Sequence, residues 1–414
     1  MRTPIVLTGA DLVLPDRILL AGTIRIEDGR VAAISTGPRG STAGSGPLVG
    51  HTIVPGFIDV HVHGVAGIDT LDAGHAVERI AAVLPRFGVT AFCPTTVACA
   101  PEDLRQVLAQ VRLCRATAQP GSARVLPAHL ESNFINPVYR GAQPTACLRL
   151  PQSVQGARRT VGDGSAFTAA DVLQVIESCA SDIAIVTMAP EMTGGLELVS
   201  WLVGLGVRVS LGHSGATLEQ AVAAIAAGAS QATHLFNRMA PLHHRRPGLV
   251  GAVLADDRVA VELICDGTHV HPALVRMVVA AKRPSRVMVI SDGTAAAALP
   301  AGAVARLGGQ PITATATCAE LMDGTMAGSV LTMDGAFRRL IGEMGFSRVD
   351  AALMCSTTPA TELGLADQGC LVEGAVADLV VLDDRGAVVQ TYVAGRLAYA
   401  RDAHQGNNAD APAV

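Results

Sequence analysis

Eight short β-rich runs, most of them followed by an Ala- and Leu-rich stretch, constrain this 414-residue chain more than anything else in it. The runs cover 53–63, 89–95, 124–131, 183–189, 207–213, 232–237, 259–265 and 286–292, and helical stretches such as 102–118, 170–180, 217–228 and 272–282 lie between them. Strands alternating with helices pair in parallel, and eight such units close into a (β/α)8 TIM-like barrel whose reactive groups gather at the C-terminal ends of the strands. The expected fold class is therefore α/β.

Both chain ends have a different texture. Residues 3–50 alternate apolar and polar with turn signals, notably Glu27-Asp-Gly-Arg30 between Thr23-Ile-Arg-Ile26 and Val31-Ala-Ala-Ile34, a hairpin signature. Residues 36–50 are rich in Gly, Ser and Pro and read as a loop. Hairpin-like character returns at 369–382 and 388–397. The expected organisation is one small β-sandwich domain built from 1–52 and 357–400, a catalytic barrel over 53–356, and a flexible tail over 401–414.

Composition removes several classes of function. Apolar residues make up 50% and charged residues 16%, enough for a large core and against global disorder. A net charge of −5 gives no support to nucleic acid or an acidic membrane as a partner. No uninterrupted apolar stretch of membrane-spanning length occurs, and the N-terminus reaches Asp11 before a signal-peptide core could form. The nine Cys contain no C-x-x-C pair, so reduced thiols in a soluble cytoplasmic protein are expected.

The ends of the runs carry the chemistry. Run 1 ends in His61-x-His63, and two residues at i and i+2 on a strand face one way. Such a pair is either a metal chelate or two satisfied core histidines. Run 3 ends in His129-Leu-Glu131, run 5 in Gly212-His213-Ser214, run 6 carries Thr233-His234, run 7 leads to Asp266-Gly-Thr-His269, and run 8 ends in Asp292. Barrel closure brings His61, His63, Glu131, His213, His234 and Asp292 to one mouth, a donor set suited to one or two divalent ions. Zinc is the expected ion, and Fe, Mn or Co suit the same donors. The single Lys, Lys282, lies in or after a helix, so no strand supplies the carbamylated Lys that bridges two metals in many barrel hydrolases. Glu131 is then the expected bridge.

Asp292 is the natural proton shuttle and His269 a group to polarise a substrate carbonyl. Asp59, two residues before the His pair, reads as a supporting residue. His243 and His244, in a polar loop, read as solvated.

The segments Pro55-Gly-Phe-Ile-Asp-Val-His-Val-His-Gly64, His129-Leu-Glu131, Ala189-Pro-Glu191, Gly212-His-Ser214, Thr233-His-Leu-Phe-Asn237, Pro247-Gly-Leu249, Asp266-Gly267, His269-Val-His-Pro272, Asp292 and Ala327-Gly-Ser329 resemble the N-acetylglucosamine-6-phosphate deacetylases of the amidohydrolase superfamily, in the family's order. The resemblance implies Glu131, His213 and His234 as ligands of a main metal, a second ion on His61 and His63, and Asp292 as catalytic acid/base. It also implies substrate contacts from Ala142, Asn237, Arg238, His269 and the Met326-Ala327-Gly328 loop, and an Arg245 that reaches the sugar phosphate of the neighbouring subunit, hence a homodimer. Two departures stand out: Ser132-Asn133 replaces the family's Gly-Pro after Glu131, adding hydrogen-bonding side chains to the pocket wall, and Gln143 stands where some members place His.

The expected activity is metal-dependent hydrolysis of the acetamide of N-acetylglucosamine-6-phosphate to glucosamine-6-phosphate and acetate. The alternatives are deacetylation of another N-acyl amino sugar such as N-acetylgalactosamine-6-phosphate, hydrolysis of a small amide, and a metal-free barrel kept as a binding protein.

Overall fold

A computed structural model describes residues 3–36, 47–117, 119–151 and 166–401. Eight parallel strands form the barrel: strand 1 (Phe57–Val62), strand 2 (Val89–Thr96), strand 3 (Ala128–Glu131), strand 4 (Ile183–Met188), strand 5 (Arg208–Leu211), strand 6 (Gln231–Ala232), strand 7 (Ala260–Ile264) and strand 8 (Val287–Ile290). Strands 1 and 8 close the ring through their continuations, Asp292 N–H donating to His61 O (3.0 Å) and His63 N–H to Gly293 O (2.8 Å). Run 6 is the shortest strand. Left-handed backbone at His234 (φ 27), Phe236 (φ 78) and Arg238 (φ 52) ends it after Ala232.

Helices follow all eight strands: Ala76–Val83, Pro101–Ala116, Ala169–Ser178, Gly195–Gly204, Leu218–Ala226, Gly248–Ala255, Pro272–Lys282 and Met333–Gly342. Two start on capping boxes written into the sequence, Thr168 with Asp171 and Thr217 with Gln220, which satisfy otherwise unpaired N–H groups of the first turn. No helix among the described residues is long and apolar enough to cross a membrane.

The chain ends meet in one seven-stranded sheet, ordered Arg396–Ala400, Val388–Val393, Leu379–Leu382, Thr52–Pro55, Ile5–Val13, Ile18–Glu27 and Arg30–Thr36. Its inner face gathers Leu12, Ile24, Ile53, Leu379 and Tyr392 into a core separate from the barrel's. The expected hairpin turns at Asp28-Gly29, both residues with positive φ (49° and 80°), as a two-residue turn requires.

Two expected boundaries move. Run 1 spans two sheets, because Thr52–Pro55 pairs with Ile5–Val13 and Leu379–Leu382 before the barrel begins. Gly56 makes the crossing: its N–H donates to Asp378 O (2.9 Å), and a Cβ there would lie 2.2 Å from Thr90 Oγ1. At the other end, helix Thr358–Leu363 packs beneath the barrel and not in the sheet, with Thr358 Oγ1 donating to Pro284 O (2.8 Å) and Ala360 in the barrel core. The expected tail beyond 401 and the loop segment 37–46 lie outside the described residues.

The expected reading had no place for an insert between strand 8 and its helix. There Val304–Leu307, Gln310–Ala314, Cys318–Leu321 and Met326–Ser329 form a four-stranded antiparallel sheet that overhangs the mouth. Gly308-Gly309 (φ 55 and 82) supplies its first hairpin turn.

Lys282 is fully buried at the end of its helix, where Nζ donates to Val253 O (3.0 Å) and Asp256 O (2.5 Å). It thus joins the carbonyls at the end of the preceding helix, Gly248–Ala255, where Val253 O also accepts from Asp256 N–H (3.4 Å) and Asp256 O from Val259 N–H (3.2 Å). Lys282→Met keeps the apolar stem and removes the charged donor from both carbonyls. Unfolding free energy is expected to fall by about 2 kcal/mol, measured as a lower urea midpoint with an unchanged slope.

Candidate active site

The six metal candidates come together at the C-terminal mouth. Glu131 Oε1 lies 2.6 Å from His213 Nε2 and 2.9 Å from His234 Nε2, and these two nitrogens are 3.1 Å apart. Beside this trio, His61 Nε2, His63 Nε2 and Asp292 Oδ1 form a near-equilateral triangle with edges of 3.2, 3.3 and 3.3 Å. Glu131 Oε2 faces the second trio, 3.4 Å from His63 Nε2. Ligand atoms about 2 Å from a tetrahedral zinc are about 3.3 Å apart, so the second trio has the spacing of ligands on one ion and the first is somewhat tighter.

Backbone geometry aims these groups. His213 (φ 48), His234 (φ 27) and Asp292 (φ 48) all sit in the left-handed region, disfavoured for side-chain-bearing residues and recurrent at functional sites. Each turns the chain sharply off its strand and presents the side chain to the mouth. His213 Nδ1–H donates to Tyr139 O (2.8 Å) and His61 Nδ1–H to Glu262 Oε2 (2.9 Å). In both rings the proton is thereby placed on Nδ1 and the Nε2 lone pair faces the site, the arrangement a metal-binding His needs.

The electrostatics agree with a cation-binding site. Burial works against charge on Glu131, yet His213, His234 and His63 hold its carboxyl well below the usual range. Asp292, equally buried, is held at about 2 by His61 and His63. Burial opposes a proton on His63 and His234, but hydrogen bonds to Asp292 and Glu131 push them up to about 10 and about 9. Burial depresses His61 to about 3, leaving it neutral. Two carboxylates thus draw positive charge onto imidazoles, a charge that a divalent ion replaces with release of protons.

A cavity of about 300 Å³ opens over these groups, a small-molecule size. Ala142, Asn237, Arg238, His269, Met326 and Gly328 are among the residues that line it. His269 is fixed by Nδ1–H donation to Asp266 Oδ2 (2.5 Å), which leaves Nε2 as its other polar atom. Two expectations, on the Met326–Gly328 segment and on Ser132 and Asn133, are corrected. Met326-Ala327-Gly328 belongs to a strand and not a loop, so its side chains alternate and Ala327 points away into the insert's own core. Arg245, expected to act on the neighbouring subunit, is exposed on its loop and absent from the cavity wall of its own chain. Ser132 and Asn133 add nothing to the wall, because Ser132 Oγ donates to Thr187 O (2.6 Å) and Asn133 Nδ2 to Cys99 O (2.8 Å) and Cys147 O (2.7 Å).

Asp59 supports the site from below, accepting from Ser291 Oγ (2.5 Å) next to Asp292. His243 and His244 are exposed and stacked on each other. His129 is buried and spent: Nδ1 on Val60 O (2.9 Å) and Nε2 on Thr187 Oγ1 (2.7 Å).

Two residues matter more than sequence reasoning allowed. Gln143 Nε2 donates to Glu131 Oε2, and Ala98 N–H holds the other end of the amide (2.7 Å), so this residue reaches into the ligand set itself. Glu262 supports His61. Its signal was visible as a lone carboxylate inside Ala260-Val-Glu-Leu-Ile264, but its partner is 201 residues away. A larger groove, about 1200 Å³, lies at the opposite end of the barrel beside Arg124 and Arg208 and contains none of the converging ligands.

Comparison with known proteins places these features in a family. The model of the amidohydrolase family matches residues 52–398. N-acetylglucosamine-6-phosphate deacetylase of Bacillus subtilis is 33% identical over 395 residues, covering 94% of this chain and 95% of its own. N-acetylgalactosamine-6-phosphate deacetylase of Escherichia coli O157:H7 is 34% identical, covering 91% and 94%. A mutant of N-acetyl-D-glucosamine-6-phosphate deacetylase from Mycobacterium smegmatis, solved in complex with N-acetyl-D-glucosamine-6-phosphate, superposes with a TM-score of 0.84 at 32% identity over 96% of this chain and 100% of its own.

Proposed function

The chain belongs to the amidohydrolase family, and we propose that it hydrolyses the acetamide of N-acetylglucosamine-6-phosphate to glucosamine-6-phosphate and acetate, in amino-sugar catabolism. The observation that carries this reading is the pair of adjacent ligand triangles, with Glu131 of the first facing the second, at the floor of a sugar-sized cavity. Glu131, His213 and His234 would hold the main ion, and His61, His63 and Asp292 a second; zinc is the expected metal, and Fe, Mn or Co suit the same donors. When bound, such an ion polarises the amide carbonyl and lowers the pKa of a water to about 7.

The chain's own groups do the rest. Asp292, anionic and aimed into the mouth, takes the proton of the attacking water as the C–O bond forms. His269, braced by Asp266, faces the carbonyl oxygen and stabilises the negative charge developing there. As the C–N bond breaks, Asp292 returns the proton to the nitrogen, which leaves as the free amine beside acetate. Asn237 and Arg238 and the edge formed by Met326 and Gly328 hold the sugar. Gly328 (φ 69) is required there, since a Cβ would lie 2.9 Å from Asp292 O.

Kinetic constants for N-acetylglucosamine-6-phosphate, its galacto epimer and the unphosphorylated sugars, with metal counted per subunit, test the reading. No turnover of any N-acetylhexosamine phosphate by metal-loaded protein would overturn it. The galacto epimer is the second reading, supported by the Escherichia coli relative at 34% identity.

An exposed Arg245 beyond its own cavity fits a homodimer in the cytoplasm in which each subunit lends this guanidinium to the partner's substrate phosphate. Arg245→Ala is then expected to raise KM for the phosphorylated sugar about 10- to 100-fold, the cost of one charged hydrogen bond, with kcat little changed. Equal KM values for variant and wild type would remove Arg245 from the site.

A further inference from the structure

We infer that Glu262 decides whether a second ion binds, as a positioning residue that holds His61 with its Nε2 lone pair toward the mouth. This rests on the two-ion reading proposed above.

Glu262 is fully buried in strand 7, the one ionisable side chain of Ala260-Val-Glu-Leu-Ile264. Burying a carboxylate in a barrel interior is costly unless something pairs with it. Oε2 accepts from His61 Nδ1–H at 2.9 Å and from the backbone N–H of His234 at 3.4 Å. Oε1 has no hydrogen-bond partner among the described residues. His129 Nδ1 lies 3.8 Å from it but is already committed to Val60 O. His61, His129 and Glu262 approach within 4.8 Å of one another, yet with both nitrogens of His129 in use they do not make a third metal site. His61 is therefore the principal partner of Glu262.

The two ligand triangles are braced differently. In each, one imidazole is held at Nδ1 and the other is not: His63 Nδ1 and His234 Nδ1 both lack partners among the described residues. In the first triangle the brace is a neutral carbonyl, Tyr139 O, on His213. In the second it is the Glu262 carboxylate on His61. A neutral imidazole carries one proton, and an acceptor at Nδ1 is what keeps that proton off Nε2. Without Glu262, neither imidazole of the second triangle has an acceptor at Nδ1 among the described residues.

The test counts metal. Wild type and Glu262→Gln are saturated with Co²⁺, dialysed against graded chelator, and ions per subunit and the visible spectrum are read at each step. Wild type is expected to hold two ions. The variant is expected to release one of them at 10- to 100-fold lower chelator while keeping the other at wild-type affinity. Glu262→Asp, which withdraws the charge by one methylene, is expected to show the same selective loss and carries the test if the Gln variant does not fold. Both ions held with wild-type affinity overturns the inference and leaves the two-ion reading standing. Equal weakening of both ions makes Glu262 a general support of the barrel and also overturns it. A wild-type protein that takes one ion at saturation overturns the two-ion reading itself.

Discussion

Asp292→Asn is expected to lower kcat on N-acetylglucosamine-6-phosphate by about 10³-fold while KM and the first bound ion are retained. Asn has the size and shape of Asp, and the backbone here does not depend on the carboxylate. Ser329 N–H donates to Asp292 O (2.9 Å), Ser329 Oγ to Ser291 O (2.5 Å), and Asp292 N–H to His61 O (3.0 Å). The side chain will therefore stay in place, and the φ of 48° that Asp292 adopts is tolerated by Asn better than by most residues. What the amide cannot do is accept the proton of the attacking water or return it to the departing nitrogen. The main ion rests on Glu131, His213 and His234, none of which is altered, so metal analysis of the variant should find that ion present. Loss of activity with the ion retained separates a proton carrier from a mere ligand. A variant with kcat within a few-fold of wild type would remove Asp292 from the chemistry.

The barrel was legible in the sequence because buried parallel strands are apolar on both faces, so a polar group inside or just after such a run is conspicuous. That is why His61, His63, Glu131, His213, His234 and Asp292 could all be picked out and then appear at one mouth. The insert over 304–329 was not legible. Its strands are four or five residues long, too short to show a period, although the Gly308-Gly309 turn was a usable signal. The split of run 1 at Gly56 was hidden for the opposite reason: two apolar strands of different sheets follow one another with a single residue between them. Side-chain direction was beyond the sequence where the backbone turns. Ser132 and Asn133 looked like pocket groups by position, but their side chains are taken up by neighbouring carbonyls, whereas Gln143, twelve residues from Glu131, reaches its carboxylate.

Glu131→Gln is expected to remove both ions and to lower kcat/KM by at least about 10⁴-fold, the larger effect of the two because it dismantles the site and not one proton transfer. Glu131 is a corner of the first triangle and turns its second oxygen toward the other. Its Oε1 meets His213 and His234 at 2.6 and 2.9 Å, and its Oε2 faces His63 at 3.4 Å and takes the amide N–H of Gln143. A Gln at 131 would set an amide against the Gln143 amide, and whichever way it turned, either an N–H would point at the imidazoles or two N–H groups would meet. No anion would remain between the four imidazoles apart from Asp292. The measurement pairs metal content with thermal unfolding, because an ion that binds only the folded chain stabilises it. Chelator should lower the melting temperature of wild type and leave that of Glu131→Gln unchanged. This pattern also distinguishes the two carboxylates that support the site: loss of Glu131 empties both triangles, whereas loss of Glu262 empties only the one braced through His61. Two ions per subunit in Glu131→Gln would mean that the triangles are held independently, and the shared-carboxylate arrangement would have to be abandoned.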